Sequence, residues 1–214
     1  MKQAIIAFLT VDILDSFLKL TPPLRTPGGN SIFVQSLPWP QRYLLSTAIH
    51  VATGTAIVAG FNMVYTLITL FAVTVLGHSP TAWPPVFNNP WDGHCLAEFW
   101  GKRWHQALRR TFMIFGGFPG QWLGQVLGFG KPLGMLFGTF IGSGLYHEFS
   151  AYTLGKGFDW RVPAFFLSHA FFVLGERIWR SVTGYRVRGP LGRVWVYFTI
   201  MVLGQGMSEW FSFL

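Results

Sequence analysis

The sequence predicts an all-α, polytopic membrane protein, a bundle of roughly four to six membrane-embedded helices with an additional amphipathic helix at the membrane interface. Hydrophobic residues make up 51% of the 214 residues and charged residues only 11%, against about 25% in an average soluble domain. The apolar residues are also gathered into runs that reach the length of about 20 residues needed to cross a bilayer. A soluble fold with this composition would have too little polar surface, so we expect one membrane domain over residues 1–214.

The charge balance predicts an anionic partner. Lys and Arg number 16 against 8 acidic residues, a net charge of +8, which suits nucleic acid, anionic lipid or a phosphorylated cofactor. In so apolar a chain, lipid headgroups and phosphorylated cofactors are favoured, and we expect no nucleic acid partner. Cys95 is the single cysteine, which excludes an internal disulfide and a cysteine-based metal site, so we interpret it as a small apolar filler.

The first apolar stretch, Ala4–Leu20, is interrupted by Asp12 and Asp15. No small-residue cleavage site follows, which argues against a signal peptide and favours a short, interfacial or bundle-buried helix. The two aspartates share a helix face and could form a polar lining, but capping, interfacial exposure or pairing with Lys19 is favoured. The segment Thr21–Gln41 is rich in Pro and Gly, which predicts a loop.

The long apolar run Tyr43–Leu76 exceeds one ordinary span at a rise of about 1.5 Å per residue. It is either one strongly tilted helix or two spans broken near Gly60, and the sequence leaves both open. Gly77–Leu96 is dense in Pro, Asn and Trp, which predicts a structured loop.

Three further spans are predicted at Leu133–Leu154, Pro163–Trp179 and Val194–Leu214. Basic residues are frequent before the first of these spans and between the last two. The intervening loop Gly155–Val162 carries only two basic residues beside an acid. This alternation agrees with the positive-inside rule and predicts that the segment before the first span and the Arg-rich loop face the cytosol.

The segment Leu96–Phe112 predicts a basic amphipathic helix. Its apolar residues follow a helical period, while Glu98, Lys102, His105 and Arg109 share another face. One interpretation is a helix lying in the headgroup layer, with His105 solvated. The functional interpretation is that the basic face meets phosphates and His105 points toward a reaction centre.

The pair His147-Glu148 lies in a segment, residues 132–152, that is otherwise apolar enough to cross a bilayer. Ionisable residues at such depth are costly and by default indicate a functional site, although an interfacial position or a bond to a neighbouring helix is the alternative. A buried neutral His is suited to take a proton from an alcohol. Adjacent residues on a helix diverge by about 100°, so the pair cannot chelate zinc as an i, i+4 pair would, and we expect no metal site.

The same segment carries two further patterns. Three glycines recur at every fourth position, which allows close approach of another helix: Gly134, Gly138 and Gly142. Polar side chains share a second face at helical spacing: Thr139, Ser143, His147 and Ser150. A glycine face beside a polar face predicts a helix buried in a bundle with the polar face lining a cavity, although small hydroxyls often bond back to their own helix.

Three motifs stand out together: Trp83-Pro-Pro-Val-Phe-Asn-Asn-Pro-Trp91, Leu96-Ala-Glu-Phe-Trp-Gly-Lys-Arg-Trp-His105 and Ser143-Gly-Leu-Tyr-His-Glu148. In combination they resemble the wax synthase domain of the membrane-bound O-acyltransferase superfamily. The family pattern is close to P-P-x-F-x-x-P-W, L-x-x-F-W-G-R-R-W-H and S-G-x-x-H-E. The close resemblance covers the motif core, residues 83–152, and relatives include fungal enzymes that acetylate secondary-metabolite alcohols.

The resemblance implies transfer of an acyl group from acyl-coenzyme A to a lipophilic alcohol, in a tunnel crossing the membrane. It implies that His147 is the catalytic histidine and that His105 occupies the second polar position, which is Asn, Asp or His across the superfamily. Glu148, Ser143 and Trp104 would support them. Acyl-coenzyme A would be a co-substrate, with no permanently bound cofactor, and the expected location is the endoplasmic reticulum membrane.

Four cations of the second motif and the residues after it are candidate contacts for the phosphates of coenzyme A, or else contacts to lipid headgroups: Lys102, Arg103, Arg109 and Arg110. Family members are usually longer, with additional N-terminal spans. The alternative function is therefore a truncated, catalytically inactive structural or regulatory membrane protein on the same scaffold, and a small transporter or channel component comes third. The sequence leaves the acceptor alcohol, the acyl length and the oligomeric state open.

Overall fold

The computed structural model describes residues 2–21, 31–153, 155 and 157–211, and this part of the chain is helical and contains no strand. The predicted all-α class is therefore confirmed. The chain divides into two compact units, residues 1–88 with residues 211–214, and residues 89–210. The single domain over residues 1–214 stays a prediction. The central part of the predicted loop before Gln41, residues 22–30, and the end of the last predicted span, residues 212–214, lie outside the described residues.

The first unit is built from two helices that pack along each other, α1 at Lys2–Leu20 and α2 at Trp39–Thr74. On α1 the Lys19 ammonium pairs with the Asp15 carboxylate at 2.6 Å, which confirms the predicted pairing. Before α2, the Arg42 guanidinium donates to three carbonyls of the preceding segment at 2.8–3.2 Å and so fastens that segment to the start of the helix.

Helix α2 is one uninterrupted helix of 36 residues, about 54 Å long at 1.5 Å per residue. Gly60 lies inside it, which decides between the two alternatives that the sequence left open. Among the described residues, α2 is the one helix that is long and apolar enough to cross a membrane. The other predicted spans therefore stay predictions. The loop after α2 contains two 3₁₀ turns, Pro80–Ala82 and Pro90–Asp92, as expected of a structured loop.

The first α-helix of the second unit is the short α3 at Leu96–Glu98, which continues as a π-helical turn over Phe99–Arg103. Trp104 is extended, with φ −90° and ψ 131°, and His105 is left-handed, with φ 42° and ψ 53°. Helix α4 then runs over Gln106–Phe112. The prediction of one amphipathic helix from residue 96 to residue 112 is thus wrong. The helical spacing of the apolar residues does not produce one helix, because the aromatic side chains before His105 pack together into the interior of the unit.

After α4, a π-helical turn at Met113–Gly117 leads into α5 at Phe118–Val126, and α6 follows at Lys131–Thr153. The glycines of α6 meet a matching series on the preceding chain, Gly116, Gly120 and Gly124. A Cβ at Gly138 would overlap the carbonyl oxygen of Gly116, and a Cβ at Gly120 would overlap that of Gly134. The backbones therefore touch, which confirms the close approach predicted from the four-residue spacing.

Helix α7 at Arg161–Thr183 returns antiparallel to α6. After α7 come α8 at Gly189–Tyr197, a π-helical turn at Phe198–Leu203, and α9 at Gln205–Phe211. In this unit the apolar side chains of α6 and α7 and the aromatic residues of the 99–104 segment pack together, so the motif core lies at the centre of the unit.

Candidate active site

A cavity of about 350 Å³ lies in the second unit between the α3–α4 segment, α6 and α7. Its wall is mainly aromatic and aliphatic, which suits an apolar ligand. Two of the motifs meet in it, because both His105 and His147 line it.

His147 is held by aromatic contacts. Its ring stacks in parallel on Phe166 of α7, with centroids 4.9 Å apart and an interplanar angle of 2°, and Phe112 meets it at 6.0 Å. These contacts fix the plane of the imidazole from two elements. A histidine whose ring is oriented by packing is suited to proton transfer in a fixed direction.

Ser143 lies one helical turn before His147, is buried, and lines the same cavity. The hydroxyls of Thr139 and Ser150 bond back to carbonyls of their own helix at 2.7 Å, as small hydroxyls commonly do. Ser143 makes no such bond within the part of the chain that the structure describes. Its hydroxyl can therefore bind a polar group of a ligand.

His105 reaches the cavity through its left-handed backbone. A non-glycine residue at φ 42° is uncommon, and such strained positions cluster at functional sites. The π-helical turn just before it is a further local feature that is frequent at such sites. Burial lowers the pKa of His105 from its ordinary value of 6.5, so its imidazole is neutral at pH 7.

Two tryptophans of the second motif form one wall. Trp104 lines the cavity and stacks on Phe99, with centroids 5.4 Å apart. Trp100 also lines the cavity and touches α7 through edge contacts, including one to the fully buried His169 at 5.2 Å. The structure thus brings the predicted Trp104 to the site and adds Trp100, which the sequence analysis did not single out.

Glu148 does not line the cavity, although it follows His147 directly. It is fully buried, and one carboxylate oxygen accepts the backbone N–H of Asp159 at 2.6 Å. The bond ties the end of α6 to the segment that enters α7. Glu148 therefore positions the helix that carries His147 rather than touching a ligand in the cavity.

The predicted phosphate-binding cations separate into different environments. Arg109 lines the cavity. Arg103 pairs with Glu98 through two bonds of 2.7 and 2.9 Å and donates to the Asn89 carbonyl at 3.1 Å. Lys102 and Arg110 are exposed and do not belong to the cavity wall.

Two residues of α7 were missed by the sequence analysis. Glu176 accepts the backbone N–H groups of Leu96 and Ala97 at 2.7 and 3.0 Å, and the indole N–H of Trp195 at 3.1 Å. It thereby caps the start of the second motif from a distant helix. Arg177, the next residue, lines the cavity. No local pattern marks either of them, because Glu176 bonds to a segment some 80 residues away and Arg177 faces a cavity shared with other segments.

Comparison with known proteins gives a family match over the motif core. Residues 83–174, which include every motif residue from Trp83 to Glu148, match the membrane bound O-acyl transferase family. Over these residues the chain therefore resembles this family. The predicted resemblance is thus confirmed. No cluster of three or more His, Cys, Asp or Glu side chains suited to a metal ion occurs within the described ranges.

Several curated relatives are acyltransferases by name. The chain is 29% identical to an acetyltransferase of Arthrinium sp over 170 residues, 67% of this chain and 35% of the relative. It is 38% identical to a probable long-chain-alcohol O-fatty-acyltransferase of Arabidopsis thaliana over 40% of this chain and 26% of the relative. It is 31% identical to an acyl-CoA–sterol O-acyltransferase of the same plant over 56% of this chain and 35% of the relative. The matches thus cover about a third or less of these relatives, and no solved structure matches the chain significantly.

Proposed function

We propose that the chain is a membrane-embedded O-acyltransferase that moves an acyl group from acyl-coenzyme A to the hydroxyl of a lipophilic alcohol. The observation that carries the proposal is the meeting of His105 and His147, from two separate motifs, on one apolar cavity. The relatives' names supply the substrate classes, long-chain alcohols and sterols as acceptors and acyl-CoA as donor. Wax-ester-type transfer and acetylation of a secondary-metabolite alcohol are the two forms of this reaction.

In this mechanism, His147 is the general base. Its imidazole removes the proton of the alcohol hydroxyl while the alcohol oxygen attacks the thioester carbonyl carbon. The tetrahedral intermediate then collapses, the carbon–sulfur bond breaks, and the ester is released. The leaving sulfur takes the proton from the imidazolium, so that His147 returns to its neutral state.

His105 stabilises the oxyanion. Its neutral imidazole offers an N–H as hydrogen-bond donor to the carbonyl oxygen, where negative charge develops during attack. Ser143 is close enough along α6 to orient the acceptor hydroxyl. The apolar wall excludes water, which would otherwise compete with the alcohol for the acyl group.

The protein would act as a multi-pass protein of the endoplasmic reticulum membrane. Large apolar side chains are exposed in each of the two units, for example Leu9 of α1 and Val64 of α2 in the first, and Phe115 before α5 and Phe171 of α7 in the second. Exposed apolar surface on that scale is unusual for soluble monomers and fits contact with acyl chains. Further spans along α6, α7 and the C-terminal helices follow from the positive-inside pattern.

The test is acyl transfer in membranes that express the chain, with labelled acetyl- and palmitoyl-coenzyme A and a panel of alcohols. We expect ester from the wild type and none from His147→Ala at matched expression and insertion. His78→Ala is the control because His78 is exposed and lies outside the cavity wall. Well-inserted wild-type protein that forms no ester across the panel would instead favour a catalytically inactive relative.

A further inference from the structure

The cavity is elongated along α6. The residues of α6 that line it follow one helix face from Pro132 to His147, a distance of about 22 Å at 1.5 Å per residue. On α7 the lining residues run from Phe166 to Arg177, about 16 Å by the same rise. A cavity with this outline holds a linear ligand better than a compact one.

The two histidines and Arg177 occupy opposite ends of this cavity. His147 stacks on Phe166, whereas Phe137, ten residues earlier on α6, meets Phe171 at 4.9 Å. Because α6 and α7 run antiparallel, later residues of α7 lie beside earlier residues of α6. Arg177 is therefore at the end of the cavity that is far from His147.

The second motif, residues 96–105, also runs from the Arg177 end of the cavity to the histidine end. Ala97, whose N–H bonds to Glu176 at 3.0 Å, lies at the Arg177 end. Trp100 meets Phe166 at 5.8 Å, and His105 follows at the histidine end. The order of the lining residues on all three segments thus gives the cavity a histidine end and an arginine end.

The Arg177 guanidinium is available to an anion. It has no ion-pair or hydrogen-bond partner within the described ranges, and its side chain is exposed at the cavity wall. The neighbouring Glu176 carboxylate already accepts three N–H groups, from Leu96, Ala97 and Trp195. A guanidinium offers five donors in a fixed plane that match phosphate oxygens.

We propose that Arg177 binds the pyrophosphate of the acyl-coenzyme A donor, with the pantetheine arm lying along the cavity and the thioester at His147. The inference rests on the proposed function and assigns the donor's position in the same site. About thirteen bonds separate the sulfur from the first phosphorus, and a chain of that length extends about 15 Å at the advance per bond of a peptide backbone. This length matches the distance of about 16 Å along α7 from Phe166, beside His147, to Arg177.

Arg109 is too close to the histidines to bind the pyrophosphate at the end of an extended pantetheine arm. It lies one helical turn after His105 and so belongs to the histidine end of the cavity. A phosphate at Arg109 would leave no room for an extended pantetheine arm between it and the reacting carbonyl. The structure therefore favours Arg177 over the cations of the second motif as the ligand of the pyrophosphate.

The kinetic test compares Arg177→Gln with the wild type on two donors, acyl-coenzyme A and the corresponding acyl-pantetheine, which lacks the phosphates. We expect Arg177→Gln to raise the KM for acyl-coenzyme A about tenfold or more, with little change in kcat and no change for acyl-pantetheine. Arg180→Gln is the matched control, since Arg180 lies on the same helix, is exposed and does not line the cavity. An equal effect on both donors, or no effect on either, would overturn the proposal.

A binding test separates this inference from the proposed function. Binding of free coenzyme A is measured on the purified His147→Ala chain with and without Arg177→Gln, and we expect Arg177→Gln to weaken it about tenfold. This holds whether or not the wild type forms ester, so failure of turnover alone overturns only the proposed function. If Arg177→Gln leaves coenzyme A binding unchanged but weakens association with vesicles containing phosphatidylserine, Arg177 binds lipid headgroups and the inference is wrong.

Discussion

His105 shows how a single backbone conformation defines one end of the site. Its φ of 42° directs the chain out of the π-helical turn and begins α4, so that the side chain faces the cavity instead of solvent. Asn, Asp and His tolerate the left-handed region better than other non-glycine residues. The resemblance to the wax synthase domain implies these same three types at this position, and the backbone supplies a physical reason for that restriction.

Substitutions at position 105 should separate backbone strain from chemistry. We expect His105→Asn to fold like the wild type and to retain part of the acyl transfer, because Asn keeps both the conformation and an N–H donor. His105→Val, by contrast, should lower the thermal unfolding temperature, since a β-branched residue is strained at positive φ. Thermal unfolding and ester formation measured on both variants test this, and equal stability of the two would contradict it.

The protonation of His105 should be shifted toward acid pH. Because burial lowers its pKa, the neutral imidazole persists as the pH falls below 6.5, and protonation occurs only at still lower pH. A histidine NMR titration measures this, with the resonance assigned by its absence from His105→Asn. A pKa above 6.5 would contradict the interpretation that burial dominates the surroundings of His105.

At the scale of elements, the contact between α5 and α6 depends on the absence of side chains. We expect Gly138→Ala to destabilise the protein by about 1–3 kcal/mol, since the new methyl group would overlap the Gly116 carbonyl and push the backbones apart. Gly175→Ala on α7 is the control, because nothing lies within 4 Å of the position of its Cβ. Unfolding in detergent measures both, and equal effects would contradict the close contact.

Glu176 should be as important to the second motif as the residues within it. Glu176→Ala removes the acceptor of two backbone N–H groups and one indole N–H. Leu96 is fully buried, and a buried donor left unpaired costs about 1–3 kcal/mol. We expect lower stability and faster amide exchange at Leu96 and Ala97, with partial rescue in Glu176→Gln, which keeps one acceptor oxygen. Unchanged exchange at these two amides would show that the cap is unimportant.

At the scale of the whole molecule, α2 should cross the membrane with its middle in the lipid. About 20 of its 36 residues suffice to cross the hydrocarbon, so both ends extend beyond it or the helix tilts. In a Cys95→Ser background, we expect Ile57→Cys to resist a membrane-impermeant maleimide in intact vesicles and Leu76→Cys to react. Rapid labelling of Ile57→Cys without detergent would contradict a spanning α2.

Much of this protein could be predicted because its strongest patterns are local. Composition and the length of the apolar runs indicate the helical class and the membrane setting. The four-residue spacing of glycines predicts a close helix contact, because the absence of a Cβ has its effect at the glycine itself. The motifs around His105 and His147 identify the candidate residues for the same reason. The family resemblance and the two candidate histidines were therefore available from the sequence alone.

The tertiary structure alone decided which of these residues share a cavity. The helical period between Leu96 and Phe112 could not reveal the break at His105, because the break is driven by inward packing of aromatic residues against α6 and α7. Glu176 and Arg177 have no local pattern, since their partners lie across the fold. The types of reactive side chain can be identified from the sequence. The length of the cavity, and the placement of the histidines and Arg177 at its opposite ends, depend on the packing of segments that are distant in the sequence.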